Sequence, residues 1–410
     1  MLYHLHELQR RFLNPLSVWA QATSELFSSP YSPFAYTPLS RRLSAGYDLL
    51  HRIGKQYEKP EFGLKTTHIG DAEVPVVEEV RIDKPFCRLL HFRRQIPAKL
   101  KRPADPRVLI VAPLSGHHAT LLRDTVRALL PDHDIWITDW IDARLVPITA
   151  GPFHLDDYVA YVTEFIHALG PDVHVISVCQ PTVPVLAAVS LMASNHDPKL
   201  PKSMTMMGGP IDTRKSPTQV NALALRKNHK WFENSVIFMV PTAYPGYLRK
   251  VYPGFLQHAG FVAMNPDRHL NSHWDYYLDL VKGDMDDVEN HREFYDEYNA
   301  VIDLPAEYYL DTIRIVFQER RLTKGTWDVH GQRVRPEDIT NVALFTIEGE
   351  LDDISGSGQT RAAHDLCKGI PKAKKQHLTA QGAGHYGIFS GRRWREQIAP
   401  QIRDFIRAHA

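Results

Sequence analysis

The sequence predicts an α/β protein: a mostly parallel central sheet with helices on both faces, an aromatic-rich insertion and a helical N-terminal arm. Three observations predict it. From about residue 86, short apolar runs of strand length alternate with stretches of helical spacing. That rhythm stops between about 214 and 335 and then resumes for two more strands. At 410 residues, with 43% apolar and 23% charged side chains, the chain has the material for one large core carrying an insertion.

Residues 1–80 read as a helical arm with loops. Leu5, Leu8, Phe12, Leu16 and Trp19 recur at spacings of three and four and share one apolar helical face. That face is expected to pack on the main domain, or else to meet a hydrophobic surface or a second subunit. FSSPYSPFAYTPLS (27–40) reads as loop. The core is expected over 81–213 and 336–410. FCRLLHF (86–92), VLIVAPL (108–114), DIWITDW (134–140), VHVISV (173–178) and SMTMMGGP (203–210) have strand character. Between them HATLLRDTVRALL (118–130), LDDYVAYVTEFIHALG (155–170) and TVPVLAAVSLMA (182–193) have helical spacing, with Gly170 as a natural stop. After the insertion, VALFTIEG (342–349) and KKQHLTA (374–380) are strands, with a helix near 357–368 between them and a final helix over 391–408.

The formal net charge of +1 and the lack of a basic run exclude a nucleic-acid partner. Residues 173–195 lack Asp, Glu, Lys and Arg, but Ser177, Gln180, Pro181 and Pro184 make them a strand, turn and helix rather than a membrane span. The N-terminal MLYHLHELQRRFLNPL has no apolar h-region, and three scattered cysteines give no disulfide framework. A cytoplasmic location is expected.

The chemistry is expected at VHVISVCQPTVPVLAAV, where a buried-type strand runs straight into a helix with Cys179 at the corner. This is the setting of a nucleophile elbow, although Ser177-Val178-Cys179-Gln180-Pro181 departs from Gly-x-Ser-x-Gly at all three marked positions. Pro181 and Pro184 suit a helix's first turn, whose N–H groups have no intrahelical partner to lose. The positive end of the helix dipole suits an anionic nucleophile. Taken alone, Cys179 reads equally well as a small core residue. Its partners decide for catalysis. FTIEGELDDISG places a carboxylate cluster after one strand, and LTAQGAGHYGIFSG places the Gly-flanked His385 after the next. Nucleophile, acid and histidine thus follow the order of the α/β-hydrolase fold. Asp352 is the expected acid and Asp353 the alternative. The oxyanion donors are expected to be the amide of Gln180 and that of Ser115 or His117, in the loop Ser115-Gly116-His117-His118.

The insertion over 214–335 sits where such enzymes carry a lid, and its Trp, Tyr and Phe residues suit an apolar or polymeric substrate. Trp274 and Tyr244 are the candidates for substrate contact. The acidic run 282–297 reads as a solvated helix face. No metal ligand set is expected.

The Ser-Val-Cys-Gln-Pro elbow, the PLSGHHATLLR loop, the GELDDISG acid loop, the NPDRHLNSHWDYYLDL segment and the AGHYGIFSGRRWREQIAP ending resemble intracellular polyhydroxyalkanoate depolymerases over nearly the whole chain. The resemblance implies an α/β-hydrolase fold and cleavage of poly(3-hydroxybutyrate) at storage granules in the cytoplasm. It implies Cys179 as nucleophile, Asp352 as acid and His385 as base. No cofactor is required, although coenzyme A stands beside water as a possible acyl acceptor, and a homo-oligomer is possible. The rival readings are a polyhydroxyalkanoate synthase, which typically keeps glycine where this chain has Pro181, and a non-catalytic granule-associated protein.

Overall fold

The computed structural model describes residues 2–29, 31, 37–98, 100, 103–264 and 266–410. Nine strands make one sheet: β1 (Thr66–Ile69), β2 (Ala72–Asp83), β3 (Cys87–Arg94), β4 (Arg107–Val111), β5 (Asp134–Trp140), β6 (Val173–Val178), β7 (Ser203–Met207), β8 (Ala343–Gly349) and β9 (Lys375–Ala380). Their spatial order is β1-β2-β3-β5-β4-β6-β7-β8-β9. From β5 to β9 all neighbours are parallel. The β1–β2, β2–β3 and β3–β5 pairs are antiparallel. Every residue of β6, β7 and β8 is buried, so both sheet faces are covered there, which is why these strands are mostly apolar without a period-two alternation. An order that reverses at β4–β5, with the central β6 leading to the elbow, is the α/β-hydrolase fold.

Helices α1 (Leu2–Ser28) and α2 (Pro38–Gly54) form a hairpin at the N-terminus. Of the loop expected over 27–40, residues 30 and 32–36 lie outside the described residues. In the core, α3 (Arg123–Leu129), α4 (Leu155–Leu169) and α5 (Thr182–Ser194) follow strands β4, β5 and β6. Gly170 ends α4 at φ +82°. The insertion folds as α6 (Gln219–Arg226), α7 (His229–Val236), α8 (Gly254–Met264), α9 (Pro266–Lys282), α10 (Met285–Asn299) and α11 (Ala306–Asp311), with a small sheet of three short strands. The chain closes with α12 (Ala399–Ala408).

Four features differ from expectation. Residues 66–83, inside the stretch read as arm, are strands; Val74 and Val76 point inward while Glu73 and Glu79 point out, and those charges mask the strand pattern of an edge. The helix near 357–368 is confined to Ala363–Leu366, because the Gly358 and Arg361 N–H groups donate to the Glu348 carboxylate at 2.9 and 2.8 Å instead of to a helix ladder. The last helix passes through a π-helical stretch, Trp394–Ile398, just before Pro400, which brings no N–H to the ladder. In α1, Leu5, Leu8, Phe12, Leu16 and Trp19 face outward, while Tyr3, Ser17, Ala20 and Ser24 are buried. The small residues let α2 approach closely: Ser17 Oγ donates to the His51 carbonyl at 3.0 Å and Ser24 Oγ to the Ser44 carbonyl at 2.9 Å.

Candidate active site

Cys179 follows β6 at φ +68°, a left-handed conformation that costs a non-glycine residue about 1–3 kcal/mol and persists only where the surroundings impose it. Its N–H donates to the Met207 carbonyl at 2.7 Å, and its own carbonyl accepts from Thr182 N–H at 3.2 Å. The chain thus turns from strand to helix within three residues. Pro181 is the N-cap of α5 and Pro184 lies in its first turn. Ser177, where the usual motif has glycine, is buried and donates its hydroxyl to the Thr205 carbonyl at 3.3 Å. The glycine needed for close approach is just past the neighbouring strand instead: a Cβ on Gly209 would collide with Thr182.

His385 follows β9, and its Nδ1 lies 2.8 Å from Asp352 Oδ2. Asp352 Oδ1 accepts from the N–H groups of Ile354 and Ser355 at 2.9 and 2.8 Å, which fixes the carboxylate within its loop. Asp352 is buried and Asp353 exposed, so Asp352 is the one that faces His385. An ionised carboxylate only accepts, so Nδ1 carries the proton and leaves Nε2 for the Cys179 sulfur, with which the imidazole also bonds. Burial alone would lower the His385 pKa, but the Asp352 carboxylate and Cys179 outweigh it and hold the imidazole well above its ordinary value. By contrast, burial pushes His117 down to about 4 and His118 to about 3. Cys179 is the partly exposed cysteine; Cys87 and Cys367 are buried, and burial raises both thiols, Cys367 to about 12.

Cys179, His385, Gln180, Ser115 and His117 border one cavity of about 580 Å³. The His117 ring is turned to the Tyr298 carbonyl, 3.2 Å from Nε2, and stacks on Phe261, which lines the same cavity. Gly116 has φ +102° and gives its carbonyl to the Ile302 N–H at 2.8 Å. The Gln257 side chain lies against it; a Cβ on Gly116 would sit 2.6 Å from Gln257 Cδ. Most of the wall is apolar and comes from the insertion, including Leu223, Phe232, Phe261, Tyr309 and Phe317. Within it the buried Gln180 amide has no hydrogen-bond partner for either its oxygen or its nitrogen among the described residues.

Two expected contacts need correction. Trp274 does not line this cavity; it is exposed on α9 and stacks on Tyr277 at 5.4 Å. Tyr244 does not line it either; its hydroxyl donates to Glu7 at 3.0 Å and its ring lies under Arg144, so it serves the contact with α1. Gln257, Tyr308 and Tyr309, not singled out from the sequence, do line it. Gln257 had a signal, as a polar residue inside the apolar run GFLQHAGFVAM. Among the described residues no group of three or more His, Cys, Asp or Glu could hold a metal ion, and no helix is long and apolar enough to cross a membrane.

The sheet order and the turn at Cys179 define an α/β-hydrolase fold, and the family comparison supports a carboxylic ester hydrolase. Residues 208–410 match the family model described as PHB de-polymerase C-terminus. Comparison with curated protein sequences finds no match. Among solved structures the chain is similar to a monoacylglycerol lipase from Paleococcus ferrophilus, with 13% identity, 75% of this chain and 97% of that chain covered, and a TM-score of 0.43. It is also similar to 2-hydroxy-6-oxo-6-phenylhexa-2,4-dienoate hydrolase from Rhodococcus sp. strain RHA1, with 13% identity, 82% and 99% coverage, and a TM-score of 0.45. A thermophilic esterase from Thermogutta terrifontis gives 11% identity, 87% and 100% coverage, and a TM-score of 0.41.

Proposed function

We propose that the protein depolymerises poly(3-hydroxybutyrate) or a related polyhydroxyalkanoate, at the surface of storage granules in the cytoplasm, through an acyl-enzyme on Cys179. The observation that carries this reading is the His385 imidazole, bonded to Asp352 on one side and to the Cys179 sulfur on the other at the edge of an apolar cavity. The Cys179 thiolate attacks an ester carbonyl of the polymer. The amide of Gln180 and one from the Ser115–His117 loop stabilise the developing oxyanion. His385, as imidazolium, protonates the departing alkoxide, the ester C–O bond breaks and a 3-hydroxyacyl thioester remains on Cys179. His385 then takes a proton from water, which attacks the thioester and releases the 3-hydroxy acid and the thiolate. Asp352 holds the imidazole tautomer and stabilises its charged form. The residues over 214–335 act as a lid that keeps the cavity apolar.

Incubation with amorphous poly(3-hydroxybutyrate), with and without coenzyme A, tests this. Soluble 3-hydroxybutyrate or its oligomers are expected from the wild type and not from Cys179→Ala; a coenzyme A-dependent thioester product would identify the thiol as acceptor. Polymer growth from 3-hydroxybutyryl-CoA would identify a synthase instead, and equal product from both proteins would refute the nucleophile.

A further inference from the structure

Helix α1 is packed the wrong way round for an ordinary amphipathic helix. At about 100° per residue, Leu5, Leu8, Phe12, Leu16 and Trp19 fall within an arc of about 80°, and Glu7, Arg10, Arg11 and Glu25 all fall outside it. Phe12 is 74% exposed and Trp19 55%. Glu7 and Arg10 pair with each other at 3.0 Å, and Glu7 accepts from Tyr244, so these charges turn toward the body. Helix α2 adds exposed Leu39, Leu50 and Ile53, and α9 adds Leu270 and Trp274. Leu13, Ile53 and Leu270, one from each helix, line a second cavity of about 690 Å³, where the three helices meet; α1 borders it with Tyr3, His6, Glu7, Gln9, Arg10 and Leu13 and not with the outward arc. Single exposed apolar residues are ordinary, but five along one uncharged arc of a helix mark a contact surface.

The second cavity is one helix away from the chemistry. Phe255, His258 and Val262 of α8 line the second cavity, while Gln257, Gly260 and Phe261 of the same helix line the catalytic one.

We propose that the outward face of α1 and α2, with Leu270 and Trp274 of α9, seats the enzyme on an uncharged, water-insoluble polyester surface. The proposal rests on the depolymerase reading above and names the surface that delivers the polymer to that site. Charge selects this occupant. A polyester surface carries no ionised groups, and the α1 arc that would meet it carries none either, whereas an anionic lipid surface would be matched by basic residues within the arc. The chain's net charge of +1 adds little long-range attraction, so attachment depends on apolar area and not on salt.

The test uses the full chain and the variants F12E/L16E and Trp274→Glu, with circular dichroism as the check on folding. Four readouts are compared: co-sedimentation with amorphous poly(3-hydroxybutyrate) granules at low and high salt, product release from those granules, hydrolysis of a short soluble ester, and elution volume. The expected result is a loss of granule binding of about tenfold or more for F12E/L16E. Polymer hydrolysis falls with it, soluble-ester hydrolysis is unchanged, and wild-type binding is equal at both salt concentrations. Unchanged granule binding by both variants overturns the proposal. So does a wild-type dimer that F12E/L16E converts to monomer without affecting granule binding, since the face is then a contact between copies. Binding of the wild type to anionic lipid vesicles but not to polyester overturns it as well. A wild type that sediments with granules and cleaves the soluble ester, yet releases nothing from polymer, refutes the depolymerase reading and leaves the docking surface standing.

Discussion

His385 has two partners, and each sets a different property. Asp352 fixes the ring through Nδ1 and raises its proton affinity; the Cys179 sulfur takes the other nitrogen. The raised imidazole pKa means that the charged form persists above the ordinary histidine value near 6.5 and is lost only as pH rises through the folded value. Its contribution to stability follows the same sign, present in full below about 6.5 and lost over that higher window. Asp352→Asn removes the largest raising influence. The account expects His385 to titrate at lower pH in that variant, read from the imidazole proton shifts, and kcat to fall about 10²- to 10⁴-fold. An unshifted titration would separate Asp352 from the proton chemistry. Gln180 carries a second prediction. Its buried amide lacks a partner, a state that costs about 1–3 kcal/mol unless something in the cavity meets it. Gln180→Ala is therefore expected to raise the thermal midpoint while raising KM about 2- to 10-fold, the loss of one hydrogen bond to substrate. A lowered midpoint with KM unchanged would assign the side chain to structure alone.

At the scale of elements, the elbow was legible from its context and not from its motif. Six buried residues, four of them Val or Ile, followed at once by Cys-Gln-Pro read as a strand entering a helix, whereas the displaced glycine, Gly209, lies in the loop after another strand where no local pattern reaches it. The arm was legible as a helix but not in its orientation. Periodicity marks a face; it does not say what covers that face, and the buried side turned out to be the one bearing Ser17, Ala20 and Ser24. Choosing between Asp352 and Asp353 also needed the loop, since neighbouring residues point opposite ways. One contact anchors the arm. Tyr3 donates to the buried Asp303 at 2.6 Å, and Asp303 also accepts from Gly254 N–H at 2.9 Å at the start of α8. Tyr3→Phe is expected to cost about 1–3 kcal/mol and to speed amide exchange in α1, with soluble-ester turnover unchanged. Equal exchange in the two proteins would refute the anchor.

For the whole molecule, the sheet was readable wherever strands are buried on both faces, and unreadable at the edge, where β2 carries charged residues outward. The rings of the insertion could be recognised as apolar wall material, but which rings face the cavity depends on how α6 to α11 fold over the sheet. Phe232 and Phe261 turn inward, and Trp274 turns out. The proposed mechanism puts the acyl group on the Cys179 sulfur, and the direct measurement is mass spectrometry of the protein quenched during turnover on poly(3-hydroxybutyrate). The account expects a 3-hydroxybutyryl or short oligomeric adduct on the peptide containing Cys179, and none on the peptides containing Cys87 or Cys367. An unmodified Cys179 throughout turnover, with Cys179→Ala still releasing product, would contradict it.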